Sequence, residues 1–312
     1  MSSKIDQINI GWIDNSYIAY ITAITLARHK LHTRKIKINP FIIEPGKLWN
    51  SISNKPSDIY YAIGGFTDNE IESILSKRCR VTIIGKFYGE KFKFITKPMK
   101  IGSIKLYPVS KEKQYGLEYL SVLIKYFKVD SETRFFLKLS NIRPKLLMVL
   151  AVTDSWIDTF NLFISNEIVS TLDDIDNIIE YIMKTKNYHQ LLNNFINIIK
   201  SSIVVDDKNY TILDFRNINI SAKRAEIILK QLIQDRKPLF LIMRGDSEES
   251  YNLCIIFRKN FTNINLDNVL KILKSTLIHD RGSLKILNCR ISDWNELTEK
   301  ISVVAKMLSN TY

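Results

Sequence analysis

The chain has 312 residues, of which 46% are hydrophobic, so its composition is that of a globular protein and excludes a chain disordered throughout. This length allows one large domain or two of ordinary size. The formal net charge of +13 and the pI near 9.4 favour a polyanionic partner. Most of the excess lies in residues 1–105, which contain 17 basic and 8 acidic residues.

Two further classes of protein are excluded by simple inspection. The longest strongly apolar run, 146–152, is far shorter than the roughly 20 residues of a membrane-spanning helix, and residues 1–6 lack the apolar core of a signal peptide. Cys79, Cys254 and Cys289 are too widely spaced for a disulfide framework or a zinc site. We therefore expect a cytoplasmic protein with reduced thiols.

Apolar strand patterns alternate with helical patterns in the first third of the chain. Strands are expected at 5–13, 36–43, 58–63 and 80–84, and helices at 16–31 and 69–77. Such alternation with short connections predicts a mainly parallel sheet with helices on its faces. The fourth strand is expected to end in a turn at Gly85-Lys86-Phe87, followed by a basic, aromatic, hairpin-like region at 91–106.

The rest of the chain changes from helices to a mixed pattern. Helical patterns are expected at 114–127, 131–139, 144–163 and 170–199, and then around 222–232, 266–277 and 294–308. Strand-like runs lie at 202–205, 210–215, 239–243, 253–257 and 283–291, with a polar hairpin loop at 246–250. We expect an α/β protein with a Rossmann-like domain at 1–169, a helical connector at 170–201 and a smaller mixed α/β domain at 202–312.

Four short segments follow one another at informative spacings. They are Ile10-Gly11-Trp12-Ile13-Asp14, Asp58 to Gly64, Gly85-Lys86-Phe87, and Leu150-Ala151-Val152-Thr153-Asp154. In order and spacing they resemble the motifs of the DHH phosphoesterase superfamily, and its RecJ-like group in particular. The resemblance implies a DHH domain that holds two metals, a helical connector and a DHHA1-like domain.

The same resemblance shows which family ligands are missing. Of the family's His-x-Asp-x-Asp-Gly only the last aspartate remains, as Asp14, while Ile10 and Trp12 stand at the other ligand positions. Gly64 replaces the aspartate of the second motif, and Gly85, Lys86 and Phe87 replace Asp-His-His. Asp154 keeps the fourth aspartate.

In the C-terminal domain the resemblance is weaker but follows the same order. Arg258 corresponds to the family's Arg-Ser after a strand, where it would meet a phosphate, with a surface salt bridge as the alternative. Arg281-Gly282-Ser283 corresponds to the Gly-Gly-His turn, with one glycine kept and the histidine lost.

These losses predict a protein without metal-dependent catalysis. Two aspartates and no histidine are too few ligands for two divalent ions about 3.5–4 Å apart, and the ammonium of Lys86 repels cations. We expect Lys86 to neutralise Asp14 or Asp154, because unit charges about 4 Å apart attract by about 4 kcal/mol at an effective dielectric constant of 20. The alternative is that Lys86 points into solvent.

Catalytically silent DHH proteins of this size resemble the archaeal relatives of the eukaryotic cell-division-cycle forty-five replication factor. Those RecJ-like subunits join the GINS complex to the MCM helicase at the replication fork. The resemblance implies a nucleoid-associated scaffold in chromosomal DNA replication that has no cofactor, with GINS and MCM as partners and contact with single-stranded DNA. Two alternatives stay open: an active metal-dependent phosphoesterase or exonuclease with relocated ligands, and a stand-alone single-stranded nucleic-acid-binding protein.

Cations and aromatic rings alternate between Lys86 and Phe94. Such a mixture suits single-stranded nucleic acid, because bases stack on rings while lysines follow the phosphates. Lys86, Lys91 and Lys93 are therefore candidate contacts, together with Arg258. The alternative is a hairpin with Phe92 and Phe94 buried and the lysines solvated.

Overall fold

The structure, a computed structural model, describes residues 6–14, 16–33, 36–53, 59–75, 77, 79–109, 116–165, 173–233, 237–244, 251–256, 266–281, 284–291 and 293–309. The chain divides into two compact units, Met1–Leu150 with Asp154–Met183, and Ala151–Thr153 with Lys184–Tyr312. Each unit contains a sheet and helices, so the expected α/β class is confirmed.

Strands and helices alternate at the start of the first unit, as the hydrophobic pattern predicts. In chain order the elements are β1 (Asp6–Ile13), α1 (Tyr17–Thr33), β2 (Ile36–Ile43), α2 (Leu48–Ser53), β3 (Ile59–Thr67), α3 (Asp68–Leu75), β4 (Arg80–Tyr88), β5 (Met99–Ile101), β6 (Ile104–Pro108), α4 (Leu117–Phe127), α5 (Thr133–Asn141), α6 (Arg143–Thr153), α7 (Trp156–Ile164) and α8 (Asp173–Lys184).

The described strands of this unit form one sheet in the order β2-β1-β3-β4-β6-β5. All neighbours are parallel except β5 and β6, which form an antiparallel hairpin. The strand order reverses between β1 and β3. In sheets of this kind ligands bind outside the carboxyl ends of the strands at such a reversal.

Helices cover both faces of this sheet, because side chains alternate along each strand and both sets are apolar. On one face a cluster of buried side chains packs under α2 and α3, and includes Ile13, Phe41, Tyr60, Phe66, Val81 and Ile83. On the other face Ile10 and Trp12 pack beneath α1. The carboxyl end of the sheet is therefore held between two cores.

Two strands are longer than the sequence pattern predicts, and the expected turn at Gly85-Lys86-Phe87 is wrong. The parallel ladder between β3 and β4 continues through Gly64 opposite Gly85, Gly65 opposite Lys86 and Phe66 opposite Phe87. Glycine normally weakens a strand, but here each strand supplies the other with hydrogen-bonding partners. The Gly-Lys-Phe segment thus lies inside a central strand.

Two long helices expected from the pattern are each divided. The helix expected at 144–163 breaks between α6 and α7, where Asp154 has a φ of 55°. The helix expected at 170–199 breaks at Thr185, whose side chain accepts a hydrogen bond from the Tyr188 N–H and so begins a new helix. Local capping stops each helix, although the apolar period continues across the break.

The second unit contains a second mixed sheet. Its elements are α9 (Lys186–Ser202), β7 (Ile203–Asp206), β8 (Thr211–Asp214), α10 (Ala222–Leu232), β9 (Leu239–Arg244), β10 (Tyr251–Ile256), α11 (Leu266–Ile272), β11 (Ser275–Arg281), β12 (Leu284–Cys289) and α12 (Trp294–Ser309). The described strands lie in the order β11-β12-β10-β9-β8-β7, and within this order β8 and β9 are the parallel pair.

Leu277 lies in β11, so the helix expected at 266–277 is too long. Lys274 has a φ of 46°, which ends the helix, and the following residues pair with β12. Residues 246–250, expected to form a hairpin loop, lie outside the described residues.

Candidate functional site

Ile10 and Trp12, at two of the family's ligand positions, belong to the hydrophobic core. Both side chains are fully buried. The Trp12 ring stacks on Phe160 with a centroid distance of 5.1 Å and an interplanar angle of 16°, and it meets Tyr20 edge-on at 5.3 Å. Tyr20 in turn meets Trp156 at 5.0 Å. An aromatic cluster therefore occupies the place of two metal ligands.

Gly64 and Gly85, at two other ligand positions, have no room for a side chain. A Cβ on Gly85 would lie 1.8 Å from the Gly64 carbonyl oxygen, and a Cβ on Gly64 would lie 2.2 Å from Ile13 Cγ1. The Gly64 carbonyl also accepts a hydrogen bond of 3.3 Å from the Tyr119 hydroxyl. The close contact between β3 and β4 therefore depends on glycine at position 85, whereas glycine at position 64 leaves room for the Ile13 side chain of β1.

The two aspartates that remain have local structural roles. The Asp14 N–H donates to the Ile43 carbonyl at 2.8 Å, which joins the end of β1 to β2. Asp154 is exposed and caps α6 in the left-handed conformation, with its N–H donating to the Leu150 carbonyl at 2.9 Å. Aspartate tolerates that conformation better than most residues.

The donor set does not fit the two metals that the resemblance implies. Within the described ranges, no three His, Cys, Asp or Glu side chains are grouped so that they could hold a metal ion. Core side chains and glycines stand at four ligand positions, and Lys86 adds a positive charge. No catalytic step through a metal is therefore derived for this site.

Lys86 has a different partner from either of the two expected. Its ammonium lies 3.3 Å from Glu118 Oε1, in the first turn of α4, and it pairs with neither Asp14 nor Asp154 among the described residues. Only 6% of the Glu118 side chain is exposed, against 35% for Lys86. Glu118 Oε2 is buried and has no hydrogen-bond partner within the part of the chain that the structure describes. The expectation that Lys86 neutralises a motif aspartate is therefore wrong.

Removing Lys86 is expected to destabilise the first unit through Glu118. Lys86→Met leaves a buried carboxylate without its cation, and we expect the free energy of unfolding to fall by about 1.5 kcal/mol, a modest value because Lys86 is partly screened by solvent. The double variant Lys86→Met/Glu118→Gln is expected to recover most of this loss. Urea unfolding at pH 7 measures both. Equal losses in the single and double variants would contradict the pairing.

The segment after β4 begins with a turn that is held by hydrogen bonds to Asp68. Asp68 accepts the N–H groups of Lys91 at 2.8 Å and Phe92 at 3.1 Å, and the first of these bonds is the main cause of a lowered Asp68 pKa. Lys91 is ion-paired with Glu72, whose hydrogen bond raises the pKa of the lysine. Lys91 therefore already has an acidic partner, which weakens the case for it as a phosphate contact.

Phe92 and Phe94 differ in burial, so the alternative of a hairpin that buries both rings is wrong. Phe92 is 8% exposed and joins the core, whereas Phe94 is 74% exposed. The Lys93 ammonium lies 4.9 Å from the centroid of the Phe94 ring. The segment is a turn rather than a strand, so the two-residue period does not apply.

In the second unit, Arg258, Gly282 and Ser283 lie outside the described residues, so their expected roles remain predictions. A cleft of about 480 Å³ lies at the carboxyl ends of β8 and β9, and Arg216 and Arg244 are among its lining residues. Arg216 forms a bidentate ion pair with Asp214. Its guanidinium carbon lies 3.9 Å from the centroid of the Trp294 ring. The sequence analysis does not single out Arg216, although the pattern Asp-x-Arg at the end of a strand could have indicated an ion-paired arginine there.

The layout of the whole chain has a counterpart among solved structures. That of the pGpG-specific phosphodiesterase PggH from Vibrio cholerae is similar with a TM-score of 0.53 and 9% identity, over 97% of this chain and 99% of that one. The chain therefore shares the overall fold of that phosphodiesterase, and at this identity the likeness concerns the fold alone.

A second solved structure, CDC45 from Entamoeba histolytica, is similar at 8% identity over 96% of this chain and 95% of that one, with a TM-score of 0.38. That score is too low to support an argument. The sequence matches no family model and no curated protein. Among the described helices, none combines the length and apolar character needed to cross a membrane.

Proposed function

We propose that this chain is a catalytically inactive scaffold subunit of the archaeal replicative helicase assembly, with the GINS complex and the MCM helicase as partners. The main support for the proposed inactivity is the packing of the residues at the family's ligand positions. Trp12 stacks within an aromatic core, and Gly85 lies against the backbone of β3. The RecJ/DHH-like fold and the motif order support the replication role and a contact with single-stranded DNA.

The alternative is an active phosphodiesterase, since PggH is one and its fold is similar. That alternative needs metal ligands from elsewhere in the chain. Apart from Asp14 and Asp154, the residues at the family's ligand positions here are apolar, glycine or ion-paired, which favours the scaffold. A stand-alone nucleic-acid-binding protein remains the third candidate, and partner capture separates it from the scaffold.

We expect the purified full-length chain to hydrolyse neither pGpG nor a short single-stranded oligonucleotide in the presence of Mn²⁺ or Mg²⁺. The physical reason is that the described residues group no set of ligands for a two-metal centre that would activate water. Product formation is followed by chromatography, with Asp14→Ala as the matched control. Turnover that Asp14→Ala abolishes would contradict the proposal and favour the phosphodiesterase.

We also expect the tagged chain to capture GINS and MCM subunits from native extract, identified by mass spectrometry. Nuclease treatment before capture removes bridging DNA, so that recovered subunits bind through protein contacts. Recovery of neither complex, with the bait folded, would contradict the scaffold role.

A further inference from the structure

A row of four side chains crosses the first sheet on the face that carries Trp12. The strand register places Tyr61 beside Thr82, Thr82 beside Lys105, and Lys105 opposite Lys100. Because side chains alternate between the two faces of a strand, all four belong to one face. Tyr61 and Thr82 are half-buried, whereas both lysines are exposed. The part of the row that lies on β6 and β5 is therefore open to solvent.

Aromatic rings border this open row. The Tyr107 ring on β6 lies 5.5 Å from Tyr126 and 4.9 Å from Phe127, both near the end of α4. The Phe127 ring lies 6.3 Å from Tyr61. All four rings are half-buried, so each keeps some exposed surface. We call the residues Tyr61, Lys100, Lys105, Tyr107, Tyr126 and Phe127 the lysine–aromatic surface.

The charge of this surface is uncompensated. Lys100 and Lys105 lie directly opposite each other in an antiparallel pair, a placement in which like charges destabilise a sheet. Neither forms an ion pair with another described residue. Residues 91–109 contain five lysines and no acidic residue. A bound polyanion would relieve this repulsion.

Further cations lie next to the rings. The Lys30 ammonium is 5.8 Å from the Tyr61 ring centroid and 6.0 Å from that of Phe127. The Lys125 ammonium is 5.2 Å from the Tyr126 ring centroid. Rings flanked by cations on an open sheet face suit a ligand that carries both phosphates and planar bases.

We propose that the lysine–aromatic surface binds single-stranded nucleic acid, with Lys100 and Lys105 on the phosphates and Tyr126 as a base-stacking ring. The inference rests on the proposed function, in which the scaffold contacts single-stranded DNA, and it moves that contact away from Lys86 and Lys91. Both of those lysines have acidic partners. Lysine on an edge strand can also prevent sheet-to-sheet association, and the experiment separates this role from binding.

The test measures fluorescence anisotropy of a labelled 20-nucleotide deoxythymidine strand with the purified full-length chain, between 50 and 300 mM salt. Lys100→Ala/Lys105→Ala is expected to weaken binding roughly tenfold at low salt and to reduce the slope of log affinity against log salt by about 1.4, or about 0.7 per lost phosphate contact. Tyr126→Leu is expected to weaken binding roughly tenfold with the slope unchanged.

Matched controls are exposed residues of the same type elsewhere in the chain. Lys145→Ala/Lys208→Ala removes the same net charge, and Tyr181→Leu removes a tyrosine that is 73% exposed. Both should leave affinity and slope unchanged, and circular dichroism checks that every variant is folded. The proposal is overturned if Lys100→Ala/Lys105→Ala binds like the unmodified chain, or if it only self-associates. Because the assay contains no partner, its failure leaves the capture of GINS and MCM untouched.

Discussion

Gly85→Ala is expected to lower the free energy of unfolding by about 3 kcal/mol, although it adds a single methyl group. The added Cβ would lie 1.8 Å from the Gly64 carbonyl oxygen, which belongs to the backbone of the neighbouring strand and cannot swing aside. Relief requires β3 and β4 to separate, which breaks the parallel ladder at the carboxyl end of the sheet. Urea unfolding of the full-length chain, followed by circular dichroism, measures the loss.

Gly102→Ala is the matched control for this change. Gly102 lies in the turn between β5 and β6 with a φ of 58°, and a Cβ there would meet nothing within 4 Å. Its cost is that of a left-handed alanine, about 1 kcal/mol. If Gly85→Ala cost no more than Gly102→Ala, the close approach of the two strands would be wrong, and a carboxylate could be restored at this family position.

The hydrophobic pattern was enough to predict the parallel sheet, because both faces of the central strands β1, β3 and β4 are largely buried and their sequences are rich in apolar residues. The pattern failed at Gly64 and Gly85. A glycine in a single sequence indicates a strand end, and only the pairing of the two strands shows that neither ends there. The lengths of β3 and β4 at the carboxyl end of the sheet therefore depend on how the two strands pair.

The missing metal ligands of the candidate site could be predicted from the sequence, but the contacts of its side chains could not. Ile10 and Trp12 carry no ligand atoms for a metal, which can be read directly from the sequence. The partner of Lys86 could not be read, because Glu118 reaches it only through the packing of α4 against the sheet. Likewise, the opposition of Lys100 and Lys105 follows from hairpin register, which sequence alone left open.

Two regions of the first sheet differ in packing and exposure. Its carboxyl end, where a ligand would bind in an open α/β sheet, is packed by close glycine contacts between strands and by an aromatic core. The β5–β6 edge on the Trp12 face is exposed and basic. The proposed scaffold role needs a rigid frame and an accessible surface, and these two regions fit those two needs.

Trp12→Ala is expected to lower the free energy of unfolding by about 4 kcal/mol, the largest effect of any substitution proposed for this chain. Trp12 is fully buried, and its ring contacts Phe160 and Tyr20, so truncation removes both contacts and leaves a cavity. Its indole Nε1 has no hydrogen-bond partner among the described residues, so the expected cost comes from packing. Urea unfolding at pH 7 gives the value.

Trp49→Ala is the matched control, since Trp49 is half-buried at the border of the opposite core and is covered by the Lys77 ammonium at 4.7 Å from its ring centroid. Because less of the Trp49 side chain is buried, Trp49→Ala should lower the free energy of unfolding by only about 1.5 kcal/mol. A similar loss for the two tryptophans would mean that Trp12 is not a central packing residue. The family ligand position would then be free to change, and the proposed catalytic inactivity would lose its main support.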